Sequence, residues 1–127
     1  MLKAAESAPY VRASASDVES VLDSNRTERV FVAEAAGRLV GFACVQVTVS
    51  FAYTRPAAEL TELFVLPGFR RSGIGSQLLS AAIAHGEGER VLEFFARVNQ
   101  SNVGATKLYE SQGLRRADHF EYRLRYY

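Results

Sequence analysis

The chain has 127 residues; 15 Lys and Arg against 14 Asp and Glu leave a net charge of +1, which excludes the strong basic excess of a dedicated duplex-binding protein. With 48% hydrophobic residues it can fill the core of one domain, residues 1–127, and is not a disordered chain. One Cys (Cys44) and two His (His85, His119) exclude an intrachain disulfide and make a metal centre unexpected, and apolar runs such as residues 40–45 fall far short of the roughly 18 residues that cross a bilayer, so a cytoplasmic protein without membrane or nucleic-acid partner is expected.

Residues 1–9 are small and polar and read as a loose terminus, without the apolar centre of a signal peptide. Tyr10-Val11-Arg12 is a candidate first strand. Ser16-Asp17-Val18-Glu19 resembles a helix start, with Val18, Val21 and Leu22 at i, i+3 and i+4, and the helix should end near Ser24-Asn25. Residues 30–33 then read as a strand, Ala36-Gly37 as a turn, and residues 39–49, rich in β-branched side chains, as a long strand. A loop over 51–57 leads to a third strand, 58–65, completing an antiparallel meander. Leu66-Pro67-Gly68-Phe69 breaks the ladder. Residues 76–85 have helical spacing with Gly86 as the stop, and the apolar run 91–96 reads as a buried strand, so that strand, helix and strand form a parallel crossover. Residues 102–112 predict a second helix, stopped by Gly113. Phe120, Tyr122, Leu124 and Tyr126 alternate with Glu121, Arg123 and Arg125, the period of a last strand with one buried face.

Two stretches carry chemistry. Arg70-Arg71-Ser72-Gly73-Ile74-Gly75-Ser76 joins a strand to a helix; its glycines let a ligand approach the backbone, and the first-turn amides of the helix have no internal partner, which suits a phosphate or pyrophosphate. Leu78 stands where a dinucleotide-binding G-x-G-x-x-G loop needs its third Gly, and no Gly-Lys-Ser/Thr is present for a Walker A loop. In the second stretch Asn102 is placed to cap its helix, and seven residues at about 100° each return Tyr109 to within roughly 20° of the same face. A plain strand-to-helix turn and an ordinary core Tyr would account for either stretch alone.

Together, and in this order, Leu63-Phe64-Val65-Leu66-Pro67-Gly68-Phe69-Arg70-Arg71-Ser72-Gly73-Ile74-Gly75 and Asn102 with Leu108-Tyr109-Glu110-Ser111-Gln112-Gly113-Leu114 resemble the GNAT superfamily of acetyl-coenzyme A-dependent N-acetyltransferases. The resemblance implies an α+β fold: a mixed, mostly antiparallel central sheet with a parallel central strand pair and helices on both faces, its N-terminal helical region shortened. It implies acetyl-coenzyme A as co-substrate and transfer of the acetyl group to a primary amine of a small molecule or peptide by direct attack. Phe64 and Val65 would pair with the pantetheine arm, Arg70 and the amides of Arg71, Ser72, Gly73, Ile74, Gly75 and Ser76 would hold the pyrophosphate, and Asn102 would help fix the cofactor or the neighbouring turn. A main-chain N–H near Val65 would stabilise the oxyanion, and Tyr109 would protonate the thiolate. Glu59 and Glu62 are candidate bases; three apart on an ideal strand, they face opposite ways unless a bulge intervenes, so only one can serve. Cys44 reads as a core residue and His85 as a charge partner of its helix end; His119 adjoins the last turn, within reach of an acceptor, but reads as an ordinary surface residue. Arg71 occupies a position that is often Gly in the family. A non-catalytic GNAT-fold binder of coenzyme A or acyl-coenzyme A is the alternative, and the C-terminal tyrosines could serve a homodimer.

Overall fold

The computed structural model describes residues 2–4, 28–49 and 54–127. The strand expected at 10–12 and the helix expected over 16–25 lie outside the described residues. Five strands form one sheet in chain order: β1 (Leu2–Ala4), β2 (Glu28–Ala35), β3 (Arg38–Thr48), β4 (Ala57–Val65) and β5 (Glu93–Ala96). The first three neighbouring pairs are antiparallel and β4–β5 is parallel.

The β2–β3 turn follows from its residues. Ala36 and Gly37 both have positive φ, 52° and 76°, the backbone that lets a two-residue loop match the twist of its strands. Between β4 and β5 the chain passes through a 3₁₀ turn (Pro67–Phe69) and helix α1 (Ile74–Gly88). Helix α2 (Val103–Ser111) follows β5; Asn102 caps it by accepting from the Ala105 N–H at 3.1 Å, and Gly113, at φ 93°, turns the chain away beyond its end.

Ile74, Leu78, Leu79, Ala82 and Gly86 form the buried stripe of α1 and close over Phe31, Ala33, Ala43, Val45, Ala58 and Leu60. Leu108 and Tyr109 of α2 pack against this same cluster. The opposite sheet face carries a smaller cluster of Val30, Val32 and Phe42.

Four expectations change. Leu2–Ala4, read as loose, pairs with residues 31–33 of β2, because an unpaired strand edge can recruit three residues that have no pattern of their own. Gly86 does not stop α1. It lies buried inside the helix, where a Cβ would meet Phe94, Val91 and Ala58 at ordinary contact distances of 3.4–3.6 Å, and α1 runs on to Gly88. The run 91–96 yields only the four-residue β5, which is partly exposed because it closes the sheet among the described residues. The period-two segment 120–126 is not a strand: Phe120, Tyr122, Leu124 and Tyr126 are 80–94% exposed. Alternation sets which side chains share a face but supplies no ladder partner, and none of the described strands runs beside this segment.

Candidate active site

The parallel pairing of β4 and β5 ends at Leu60↔Ala96. Beyond it the strands part and leave a cleft of about 630 Å³. Thr61, Glu62, Leu63 and Phe64 form one wall, Arg97, Val98 and Asn99 the other, and Asn102, Ala105 and Tyr109 of α2 close it. The Leu66 N–H donates to the Val40 carbonyl at 2.8 Å. By strand alternation the N–H groups of Leu63 and Val65 then point away from β3, toward the cleft. Arg70 turns back on this strand end: its Nε donates to the Val65 carbonyl at 2.9 Å and its guanidinium sits 5.8 Å from the Phe64 ring centre.

The turn into α1 is built by two left-handed residues, Arg71 at φ 63° and Gly73 at φ 87°. No side chain caps α1 and its first turn holds no acidic residue, so the amides at this end have neither an intrahelical partner nor a competing carboxylate. A Cβ at Gly73 would meet nothing within 4 Å, whereas one at Gly75 would touch Leu108 Cδ2 at 3.4 Å. Gly73 therefore faces open space, and Gly75 serves the packing of α1 on α2. The Ser72 hydroxyl donates to the Phe69 carbonyl and so spends its proton on the turn, whereas Ser76 Oγ accepts from Gln112 Nε2 at 2.9 Å and keeps its own proton to donate.

Tyr109 and Asn102 both line the cleft, two helical turns apart. Burial pushes the Tyr109 phenol above its usual value, which keeps it protonated at neutral pH. The Asn102 carboxamide oxygen is spent on its own helix cap.

The β3–β4 register slips between Cys44↔Glu62 and Val45↔Leu60, leaving Thr61 as an extra residue on β4. Glu59 opposes Gln46 and Glu62 opposes Cys44; since Gln46 and Cys44 share a face of β3, both carboxylates share a face of β4. The expectation that they face opposite ways is thus corrected, by the bulge that ideal strand geometry leaves out. They differ in surroundings. Glu59 Oε2 is 3.1 Å from Arg97 Nη1, while Glu62 lines the cleft. Cys44 donates its thiol to Glu62 Oε2 at 3.6 Å and packs with the Val30 cluster; desolvation and the nearby Glu62 and Glu28 carboxylates push the thiol up to about 12, which suits a packing residue and not a nucleophile. His119 is exposed, and His85 is displaced downward by burial and Arg29, so it lies against Phe31 without the charge expected of it.

Two contributors escaped the reading of motifs. Arg97 follows the β5 apolar run and joins Glu59 to Glu121, 2.9 Å away; a lone cation directly after that run was the available signal. Gly41, where a Cβ would lie 2.9 Å from the Phe64 carbonyl oxygen, lets β3 and β4 approach beside the cleft, as a glycine inside a strand suggests.

Residues 2–114 match the acetyltransferase (GNAT) family. The chain belongs to the GNAT family. An uncharacterised N-acetyltransferase of Archaeoglobus fulgidus is 38% identical over 98 residues, 75% of this chain and 65% of that protein. The [ribosomal protein bS18]-alanine N-acetyltransferase of Escherichia coli is 33% identical over 101 residues, 78% of this chain and 64% of that enzyme. The chain thus spans just under two thirds of both relatives. Among solved structures, an aminoglycoside N-acetyltransferase in complex with CoA superposes with a TM-score of 0.71 at 27% identity, covering 87% of this chain and 84% of that one. The GNAT sheet, its parallel pair and its two helices are accordingly those of this chain.

Proposed function

We propose that this GNAT chain transfers the acetyl group of acetyl-coenzyme A to a cationic primary amine, of a small molecule or a peptide, in the cytoplasm. The observation that carries the reading is the cleft where β4 and β5 part: Leu63, Phe64 and Tyr109 line it, and the chain runs on from β4 through the 3₁₀ turn to the uncapped, acid-free start of α1. Those parts fit a long thioester substrate: the Val65 amide can pair with an amide-bearing arm, and the amides of residues 73–76 can hold a pyrophosphate at its end. Arg71 adds charge at that rim, while Arg70 keeps the strand end in place.

Acetyl-coenzyme A brings an activated acetyl group, and the chain supplies the proton transfers and the orientation. Glu62 takes the proton from the ammonium of the acceptor, directly or through one water, because it lines the cleft while Glu59 is held by Arg97. The Leu63 N–H, in the cleft lining, faces the position where the carbonyl oxygen gains charge. As the bond from nitrogen to the acetyl carbon forms and the carbon–sulfur bond breaks, Tyr109 passes its proton to the sulfur and its phenolate recovers the second proton of the acylated nitrogen through water, leaving amide, free thiol and neutral phenol.

The acceptor side is acidic. Glu28, Gln46 and Glu59 form one row across three strands, and Val30, Cys44 and Glu62 the next, on the same face. A cationic acceptor suits that row. Relatives bearing the names of aminoglycoside and ribosomal-protein alanine N-acetyltransferases point the same way.

The test is calorimetry with acetyl-coenzyme A followed by thiol release over a panel of polyamines, aminoglycosides and peptides. Micromolar binding and turnover by at least one amine are expected. Absence of binding overturns the reading; binding without turnover on any amine leaves the non-catalytic binder. Tyr109→Phe should keep cofactor affinity and lose roughly 10²–10⁴ in kcat.

A further inference from the structure

Gln112 stands directly after α2 and outside the cleft lining, yet its carboxamide is spent on α1. Its Nε2 donates to the Ser76 carbonyl at 2.8 Å and to Ser76 Oγ at 2.9 Å, and its Oε1 accepts from the Ser80 hydroxyl at 3.0 Å. A carbonyl oxygen can only accept, so the nitrogen of the carboxamide must face Ser76 and the oxygen Ser80. The amide therefore has one orientation. The main chain of the same residue reaches the other way. Its N–H donates to the Tyr109 carbonyl at 3.1 Å, and the Leu114 N–H donates to that carbonyl at 3.1 Å as well. Gln112 thus links the backbone of Tyr109 to Ser76, the third residue of α1.

These bonds do what the apolar contact beside them cannot. Gly75 lies against Leu108, but apolar packing is non-directional and lets two helices slide or roll a little. Hydrogen bonds fix distance and angle, and the two to Ser76 are partly sheltered from water. We propose that Gln112 is a positioning residue for acetyl transfer: it sets the start of α1 against Tyr109, so that a thioester held at its pyrophosphate end brings its sulfur to the phenol. This rests on the function proposed for the chain, with α1 as the anchor and Tyr109 as the proton donor. The anchor and the reacting sulfur of one long substrate then belong to different helices, and an error in how the helices sit passes directly to the proton transfer. A misplacement of about 1 Å is enough to cost on the order of 100-fold in rate.

Gln112→Met keeps the length of the side chain and removes all three bonds. Calorimetry should give a coenzyme A Kd within about threefold of the wild type, since the amides of α1 remain, while kcat with a responsive amine should fall about 10–100-fold. In the double variant with Tyr109→Phe the rate should drop no further than in Tyr109→Phe alone, because Gln112 acts through the phenol. Gln112→Glu is the second variant, in case methionine disturbs folding. Its carboxylate still accepts from Ser80 but cannot donate to the Ser76 carbonyl, and it should show the same split between affinity and rate. A kcat within about twofold of the wild type in both variants overturns the proposal. So do losses that multiply in the double variant, or a loss of affinity as large as the loss of rate, which would make Gln112 a general support of the fold. A wild type that binds no coenzyme A, or acetylates no amine, overturns the acetyl-transfer reading and this inference with it, before any substitution is made.

Discussion

Glu59 and Glu62 share a sheet face only because Thr61 is an extra residue between them, and their neighbours then separate their roles. Arg97 occupies the Glu59 carboxylate at 3.1 Å, while Glu62 lies in the cleft wall. With a responsive acceptor, Glu62→Gln should lower kcat by about 10²-fold or more and reshape the acidic limb of the pH–rate profile, and Glu59→Gln should change kcat only a few-fold. Equal, small effects would mean that water removes the proton unaided. Cys44 gives a second check at this scale. With its thiol pushed up to about 12, the thiolate at pH 8 is on the order of one part in 10⁴, so the folded protein should resist a thiol reagent for hours and react within minutes once denatured.

Among elements, two glycines that look alike in the sequence act oppositely. In β3 a Cβ at Gly41 would be forced to 2.9 Å from a backbone carbonyl, so Gly41→Ala should destabilise by roughly 1–3 kcal/mol and distort the cleft wall at Phe64. Gly86 lies inside α1 with room for ordinary contacts at 3.4–3.6 Å, so Gly86→Ala should stabilise by about 0.5–1 kcal/mol in urea unfolding through helix propensity. The end of α1 also carries a pH term. Burial, with Arg29 next, lowers His85 below 6.5 in the folded chain. The unfolded chain therefore takes up the proton first as pH falls. This contribution to stability is full above the unfolded value and is lost as pH drops through the folded one. Unfolding free energies at pH 7.5 and 5.5 should differ less in His85→Gln than in wild type; an identical difference would remove His85 from the account.

These cases show which parts of the molecule were legible. Strands β2, β3 and β4, the Ala36-Gly37 turn and the cap of α2 each announce themselves through local physics: period-two apolar runs, positive φ, an Asn that bonds three residues ahead. The cleft was legible in part: Asn102 and Tyr109 both line it, as their shared helix face implies, while the glycine turn at 70–76 is not in its lining. What escaped depends on partners distant in sequence. The bulge at Thr61 is a property of two strands together, β1 is recruited by an edge, and residues 120–126 find no ladder partner among the described strands. Periodicity reports which side chains share a face, and it does not report where that face points.

At the scale of the whole molecule, ligand and fold are linked, and that linkage separates binding from chemistry. The end of β4, the chain after β5 and α2 meet at the cleft, and in the unfolded chain they form no site. A ligand that binds only the folded state stabilises it by RT ln(1 + [L]/Kd), about 2.7 kcal/mol at a hundredfold excess over Kd. For a domain of this length that is a rise in Tm on the order of 10 °C. Coenzyme A should produce the rise in the wild type and equally in Tyr109→Phe, because the role proposed for the phenol is on a departing sulfur and not on the bound arm. Gly73→Asp should abolish it, placing a carboxylate beside the amides meant for a pyrophosphate. The residue also sits at φ 87°, where any side chain is strained, so the variant's own melting point must be recorded without ligand. A Gly73→Asp protein that melts lower but keeps the full coenzyme A shift would place the ligand elsewhere. A wild-type shift that vanishes in Tyr109→Phe would make Tyr109 a binding residue, and the proton donor would have to be sought again along the cleft.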